Sequence, residues 1–141
     1  MTSTSARTQS DGLVLLARVL LSLLFIIFGW QKLVGFSGAV TYMTSMGLPA
    51  AALAAAIAVF AELGFGIAIA AGLFTRPVAI LTALYTLATA FIAHRYWMMT
   101  GMEHYTNMVN FYKNVSIMGG ALFLFATGPG KYSLDAVMRR G

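Results

Sequence analysis

Two ionisable side chains stand inside long apolar runs of this sequence, where a charge costs several kcal/mol unless it is paired. Glu62 lies near the middle of its run, roughly 16 to 18 Å from either end of a helix that rises 1.5 Å per residue. A carboxylate at that depth must either take up a proton or bind a cation. Arg18 lies about 7 Å inside another run, and its long side chain could reach Glu62 on an antiparallel neighbour. The pattern predicts a bidentate Arg18–Glu62 ion pair.

A second group of polar side chains lies later in the chain. Asn110, Lys113 and Asn114 are spaced i, i+3 and i+4, so a helix places them on one face. His94, on the preceding predicted helix, falls at a similar depth. The four residues predict the polar mouth of a pocket. For both polar groups two interpretations stay open: structural contacts between helices or with lipid head groups, and binding of a ligand.

Several other kinds of site lack the residues that they need. The absence of cysteine excludes disulfides, thiolate nucleophiles and iron–sulfur clusters. His94 and His104 do not have metal-ligand spacing, so no metal site is predicted. Glu62 is the one acid within a predicted span, and no nucleophile–base pattern occurs, so no catalytic residue is assigned. The net charge of +5 comes from scattered cations, so no nucleic-acid partner is expected.

The elements that carry these residues are predicted membrane spans. The chain is 60% hydrophobic and only 9% charged, a balance that soluble domains do not show because their surfaces must be wetted. Long apolar runs with few charges match the thickness of a bilayer. We therefore expect an all-α membrane protein, a bundle of four transmembrane helices in the lipid bilayer. The predicted spans cover residues 13–31, 50–73, 78–97 and 110–127.

Polar segments flank and connect the predicted spans. Residues 1–12 predict a disordered polar tail, 13–137 the membrane domain and 138–141 a basic tail. Residues 37–47 predict a short interfacial helix, and 98–109 predict a loop on the same side of the membrane. Four spans put both termini on the other side, which carries more Lys and Arg. The positive-inside rule therefore places the termini in the cytoplasm.

Short motifs follow one another along the chain in a characteristic order. The amino-terminal half carries Arg18, Phe28-Gly29-Trp30-Gln31-Lys32, Met46-Gly47-Leu48-Pro49 and Glu62-Leu63-Gly64-Phe65-Gly66. The carboxyl-terminal half carries His94, Phe111-Tyr112-Lys113-Asn114, Gly128-Pro129-Gly130 and Ser133-Leu134-Asp135. In this order the motifs resemble the DoxX family of small bacterial integral membrane proteins, over about residues 13–137.

The resemblance implies a multi-pass protein of the bacterial inner membrane. It also implies a link to membrane redox complexes and to quinones, because the family is similar to DoxD, a membrane subunit of a thiosulfate:quinone oxidoreductase. A quinone is accordingly the cofactor that the resemblance suggests, and a soluble or membrane redox protein is the partner.

Three functions remain open at this point. The first is a quinone-linked or redox-complex subunit that binds a small apolar ligand within the bundle, whether or not it is itself an enzyme. The second is a non-catalytic scaffold that recruits a soluble redox enzyme. The third is a small proton-coupled carrier, which would need an oligomer because four spans form a cramped pathway. The candidate ligand-binding residues are Arg18, Glu62, His94, Lys113, Asn114 and Asn110.

Overall fold

The computed structural model describes residues 2–139, with side chains described for residues 10–139. That part of the chain is helical, with no strand. The helices are α1 (Thr2–Val34), α2 (Phe36–Ser45), α3 (Ala51–Ala71), α4 (Thr75–Ala93), α5 (Gly101–Thr127) and α6 (Leu134–Met138). A 3-10 turn at Tyr96–Met98 connects α4 to α5.

Three segments of the described chain are long and apolar enough to cross a membrane. They are Ser10–Val34, Ala51–Ala71 and Thr75–Met98, and they match the first three predicted spans. The fourth predicted span falls within α5, which is 27 residues long. α5 does not belong to the same set, because polar residues interrupt its first half.

The helix boundaries differ from the prediction in α1 and α5 and agree with it in α2. α1 already includes residues 2–12, predicted as part of a disordered tail, because no proline or glycine precedes Gly12 to end the helix. α2 confirms the short helix predicted over 37–47. α5 begins at Gly101, so most of the predicted loop over 98–109 is helical. Of the terminal segments, Met1, Arg140 and Gly141 lie outside the described residues.

α1 and α3 form a closely packed antiparallel pair. A Cβ added at Gly29 would lie 2.9 Å from the backbone nitrogen of Leu63, and one added at Gly66 would lie 3.1 Å from that of Ile26. Glycines at these two positions therefore let the backbones approach, as small residues do between helices in lipid. The contacts also fix the register, in which residue 29 faces 63 and residue 26 faces 66.

α4 and α5 form a second pair, and the two pairs are packed against each other near the short α3–α4 connection. The buried side chains of Ile69, Ala79 and Leu124 lie together there, with Leu21 and Val78 around them. We call this the closed end of the bundle. At the other end, the α2 end, α2 packs on α3 through Met43, Ala55 and Ala58.

Candidate functional site

A cavity of about 810 Å³ lies between the two helix pairs at the α2 end. Binding sites for single small molecules have volumes of about 300 to 1,000 Å³. The walls are mainly apolar and come from five helices, with Phe28 on α1, Met43 on α2, Ile57 on α3, Ile92 on α4 and Ile117 on α5. The polar and charged lining residues are Gln31, Lys32, Tyr42, Glu62, Tyr85, Thr86, Thr89, His94, Asn110, Lys113 and Asn114.

Glu62 lies in the cavity wall near the middle of α3 and is 8% exposed. The Lys32 ammonium donates a hydrogen bond to Oε2 at 2.8 Å, which makes a salt bridge. The Tyr85 hydroxyl donates to Oε1, also at 2.8 Å. Because Lys32 belongs to α1 and Tyr85 to α4, the carboxylate joins the two helix pairs.

The predicted Arg18–Glu62 ion pair is wrong, and the α1–α3 register explains why. With residue 26 facing 66 and residue 29 facing 63, Arg18 faces the end of α3 near Gly72. That point is roughly 15 Å along the helix from Glu62, at 1.5 Å per residue. Lys32, near the end of α1, lies within reach of Glu62 instead. Sequence reasoning did not pair Lys32 with Glu62, and it missed Tyr85 altogether.

Arg18 lies at the closed end, where its side chain is only 1% exposed. Its Nη2 donates to the backbone carbonyl of Tyr132. Its Nε and Nη1 are buried and have no partner among the described residues. A Cβ added at Gly72, which has φ of +67°, would lie 1.7 Å from Nη1, so this position must be glycine. The guanidinium thus lies between the α3–α4 connection and the segment that precedes α6.

α6 is fastened to the same end of the bundle by Asp135. Its carboxylate accepts hydrogen bonds from the backbone N–H groups of Phe74 and Thr75, both at 2.8 Å, so it caps the first turn of α4. Burial alone would raise the pKa of Asp135. The bonds from Thr75 and Phe74 and the charge of Arg139 outweigh that effect and hold the pKa below its usual value of 3.8. The Arg18 surroundings therefore belong to a structural junction outside the cavity.

The other four predicted site residues all line the cavity. Asn114 is buried, and its Nδ2 donates to the Thr89 hydroxyl at 3.2 Å. The Lys113 ammonium donates to Asn110 Oδ1 at 3.0 Å. His94 Nδ1 forms a hydrogen bond of 3.0 Å with Oδ1 of Asn107.

These residues and Glu62 are polar groups in a cavity whose walls are otherwise mainly apolar. That arrangement is suited to orienting one amphipathic molecule. Across the described part of the chain, no three His, Cys, Asp or Glu side chains come together as metal ligands.

Comparison with known proteins agrees with the motif order. The family model described as DoxX matches residues 13–95. The chain is 54% identical to inner membrane protein YphA of Escherichia coli (strain K12) over 123 residues, which is 87% of this chain and 88% of that protein. It is 41% identical to inner membrane protein YqjF of the same organism over 127 residues, 90% of this chain and 92% of that protein. No solved structure matches the chain. With its apolar helices, the chain is a multi-pass inner-membrane protein that belongs to the DoxX family.

Proposed function

We propose that α5 is a fourth membrane span and that both termini lie in the cytoplasm. Hydrogen bonds join Asn107 to His94 and Asn114 to Thr89, so residues 107–127 run alongside α4. That stretch is about 31 Å long at 1.5 Å per residue, close to the thickness of the hydrocarbon core. Its polar residues Asn110, Lys113 and Asn114 line the cavity, which removes them from contact with lipid tails.

The cavity supports a ligand-binding function for this four-span bundle. We propose that the protein binds a small, largely apolar molecule there and serves as a quinone-linked subunit of a membrane redox complex. The observation that carries this proposal is the 810 Å³ cavity with apolar walls and polar groups on both helix pairs. A space of this size between the helix pairs is more than helix packing alone requires.

A quinone fits the residues that line the cavity. Its ring and tail would contact apolar side chains such as Phe28 and Ile57, and its oxygens would accept hydrogen bonds from Lys113 or the amides of Asn110 and Asn114. A bound quinone would supply the electron-transfer chemistry, since the chain has no cysteine. The protein's own part is to bind and orient the molecule and to exclude water.

Lipid extraction combined with native mass spectrometry tests this function on protein purified in mild detergent. Wild-type protein should retain a quinone. Ala88→Phe places a large ring at a cavity-lining position and should lower the retained amount by about tenfold, the equivalent of about 1.4 kcal/mol. Ala52→Phe is the matched control, because Ala52 is exposed and lies outside the cavity.

Two results would contradict the ligand-binding proposal. One is wild-type protein that retains no quinone even after incubation with an excess. The other is Ala88→Phe protein that retains as much quinone as the control variant. A ligand-free protein that co-purifies with a soluble redox enzyme would favour the scaffold function instead.

A further inference from the structure

The charges that line the cavity do not balance. Two lysines, Lys32 and Lys113, and one carboxylate, Glu62, contribute to its wall. Lys32 and Glu62 form the one salt bridge found among side chains of residues 10–139. Glu62 is therefore neutralised, and the second oxygen of its carboxylate is occupied by Tyr85. Among the described side chains, Lys113 has no anionic partner for its positive charge.

Lys113 is an exposed side chain in the cavity wall, flanked on α5 by the amides of Asn110 and Asn114. Its neighbour Asn114 bonds to Thr89, which stands about one helical turn, roughly 6 Å, inside the end of α4. The acceptor that Lys113 has is the neutral amide of Asn110. Glu103, the one acid in the α5 sequence, is ten residues away and roughly 15 Å farther along the helix. A cation in this position is stabilised most by an anion brought in from outside.

We propose that the ligand of this cavity carries an anionic head group, such as a carboxylate or phenolate, on an apolar body. The head group binds the Lys113 ammonium beside Asn110, and the apolar body lies along the walls towards Phe28 and Ile57. On the opposite side the charge of Lys32 is already balanced by Glu62, so the head group is directed to α5. This inference rests on the ligand-binding part of the proposed function, because it concerns the same cavity, but it puts an anionic amphipathic molecule there in place of a neutral quinone.

The two sides of the cavity then have separate roles. The Lys32–Glu62–Tyr85 chain holds the helix pairs at a fixed separation and stays intact when the ligand binds. Lys113 selects by charge, since an ammonium–anion contact in a site of low dielectric is much stronger than the same contact with a neutral oxygen. A neutral molecule of the same shape should still enter, but bind more weakly.

Two probes that share an aromatic body and differ in charge test this selection. Naphthoate and naphthalenemethanol are titrated by equilibrium dialysis against the full chain in phosphatidylcholine nanodiscs. The wild type should bind naphthoate about tenfold more tightly than the alcohol, and Lys113→Gln should bring the ratio close to one. Lys113→Arg keeps the charge and should keep the preference. Lys131→Gln, an exposed lysine outside the cavity, is the matched control.

Other results of the two-probe titration would contradict the anionic head group or the ligand-binding function. Equal binding of both probes by the wild type, or a preference that survives Lys113→Gln, would overturn the anionic ligand and leave the ligand-binding function standing. Failure of both probes to bind would overturn both. A thermal melt of each variant checks folding. Because Lys113 is exposed, its substitution should not change the melting temperature.

The source of the anion is a separate measurement. Nanodiscs with added phosphatidylglycerol show whether a lipid head group competes with naphthoate at Lys113. Competition that Lys113→Gln abolishes identifies an anionic lipid as the ligand. Absence of competition identifies a free amphipathic acid, and either result supports the anionic head group.

Discussion

At the scale of single residues, Glu62 holds three helices together. Its two carboxylate oxygens accept from Lys32 on α1 and Tyr85 on α4, while the residue itself belongs to α3. A buried carboxylate that loses its cation costs about 3 to 5 kcal/mol, whereas replacing both members of a pair costs far less. Loss of Lys32, which is paired with Glu62, should therefore destabilise the protein more than loss of Lys113.

Lys32→Met should lower the free energy of unfolding by about 3 kcal/mol, because Glu62 then stays buried without a cation. The double variant Lys32→Met/Glu62→Gln should recover most of that loss. Reversible unfolding in mixed micelles measures both, and Lys131→Met serves as an exposed control. If Lys32→Met costs the same with Gln at position 62 as with Glu, the two side chains do not interact.

The sequence identified Glu62 as a membrane-embedded acid but paired it with the wrong cation. Residue type and depth favoured Arg18, and depth alone does not set which residues of two helices face each other. That register depends on the close approach at Gly29 and Gly66, which lets Lys32 reach across. Tyr85 carried no signal, since a tyrosine in an apolar run is ordinary in a membrane helix.

At the scale of elements, α4 depends on α6 for its amino-terminal cap. Phe74 at the cap position provides no side-chain hydrogen bond, and Asp135 takes over from 60 residues farther along the chain. The lowered pKa of Asp135 means that the native state favours the ionised carboxylate. The resulting stabilisation is present above the unfolded pKa of 3.8 and is lost as the pH falls through the lower native value.

Asp135→Asn should therefore weaken the α6 junction by about 1 kcal/mol at neutral pH, the usual value of a helix cap. Amide hydrogen exchange at Phe74 and Thr75 measures it, since these two N–H groups donate to the carboxylate. In the wild type, the protection of both N–H groups from exchange should decrease at pH values below about 4. Glu103→Gln is the control, and equal protection in both variants would show that Asp135 does not cap α4 in solution.

Most helices could be predicted from apolar runs and their end signals, and α5 shows where that signal stops. Its first turns are rich in Met, His and Asn, so no apolar periodicity marks them as helical. They are held by contacts with the 3-10 turn. The ring of Tyr96 lies 5.4 Å from that of His104, and 5.6 Å from that of Phe111, in edge-to-face geometry. Such contacts between separate segments leave no local pattern.

At the scale of the whole molecule, the absence of cysteine makes the membrane topology directly measurable. Thr100→Cys introduces one thiol at the α2 end, and Lys131→Cys introduces one at the closed end. A membrane-impermeant maleimide should label the first in intact cells with a permeable outer membrane, and the second only after the inner membrane is broken. Labelling of both from one side would show that α5 does not cross, because only α5 separates the two positions.

The membrane class, the family and five polar residues of the cavity could be recognised in the sequence, but the volume of the cavity could not. Its volume depends on how far two helix pairs separate at one end while they stay packed at the other. Ile69, Ala79 and Leu124 close one end, and the Glu62 hydrogen bonds span the gap near the other. Both arrangements follow from tertiary packing, which hydropathy does not encode.

The partner of Arg18 is made late. Arg18 and Tyr132 are 114 residues apart, so a ribosome adding about 5 to 20 residues per second needs roughly 6 to 23 s to reach the second after the first. During that interval the Tyr132 carbonyl has not yet been made, so the guanidinium lacks this acceptor, although α1 is already entering the lipid. A nascent chain cut short before Tyr132 therefore displays an unshielded positive charge at its first span.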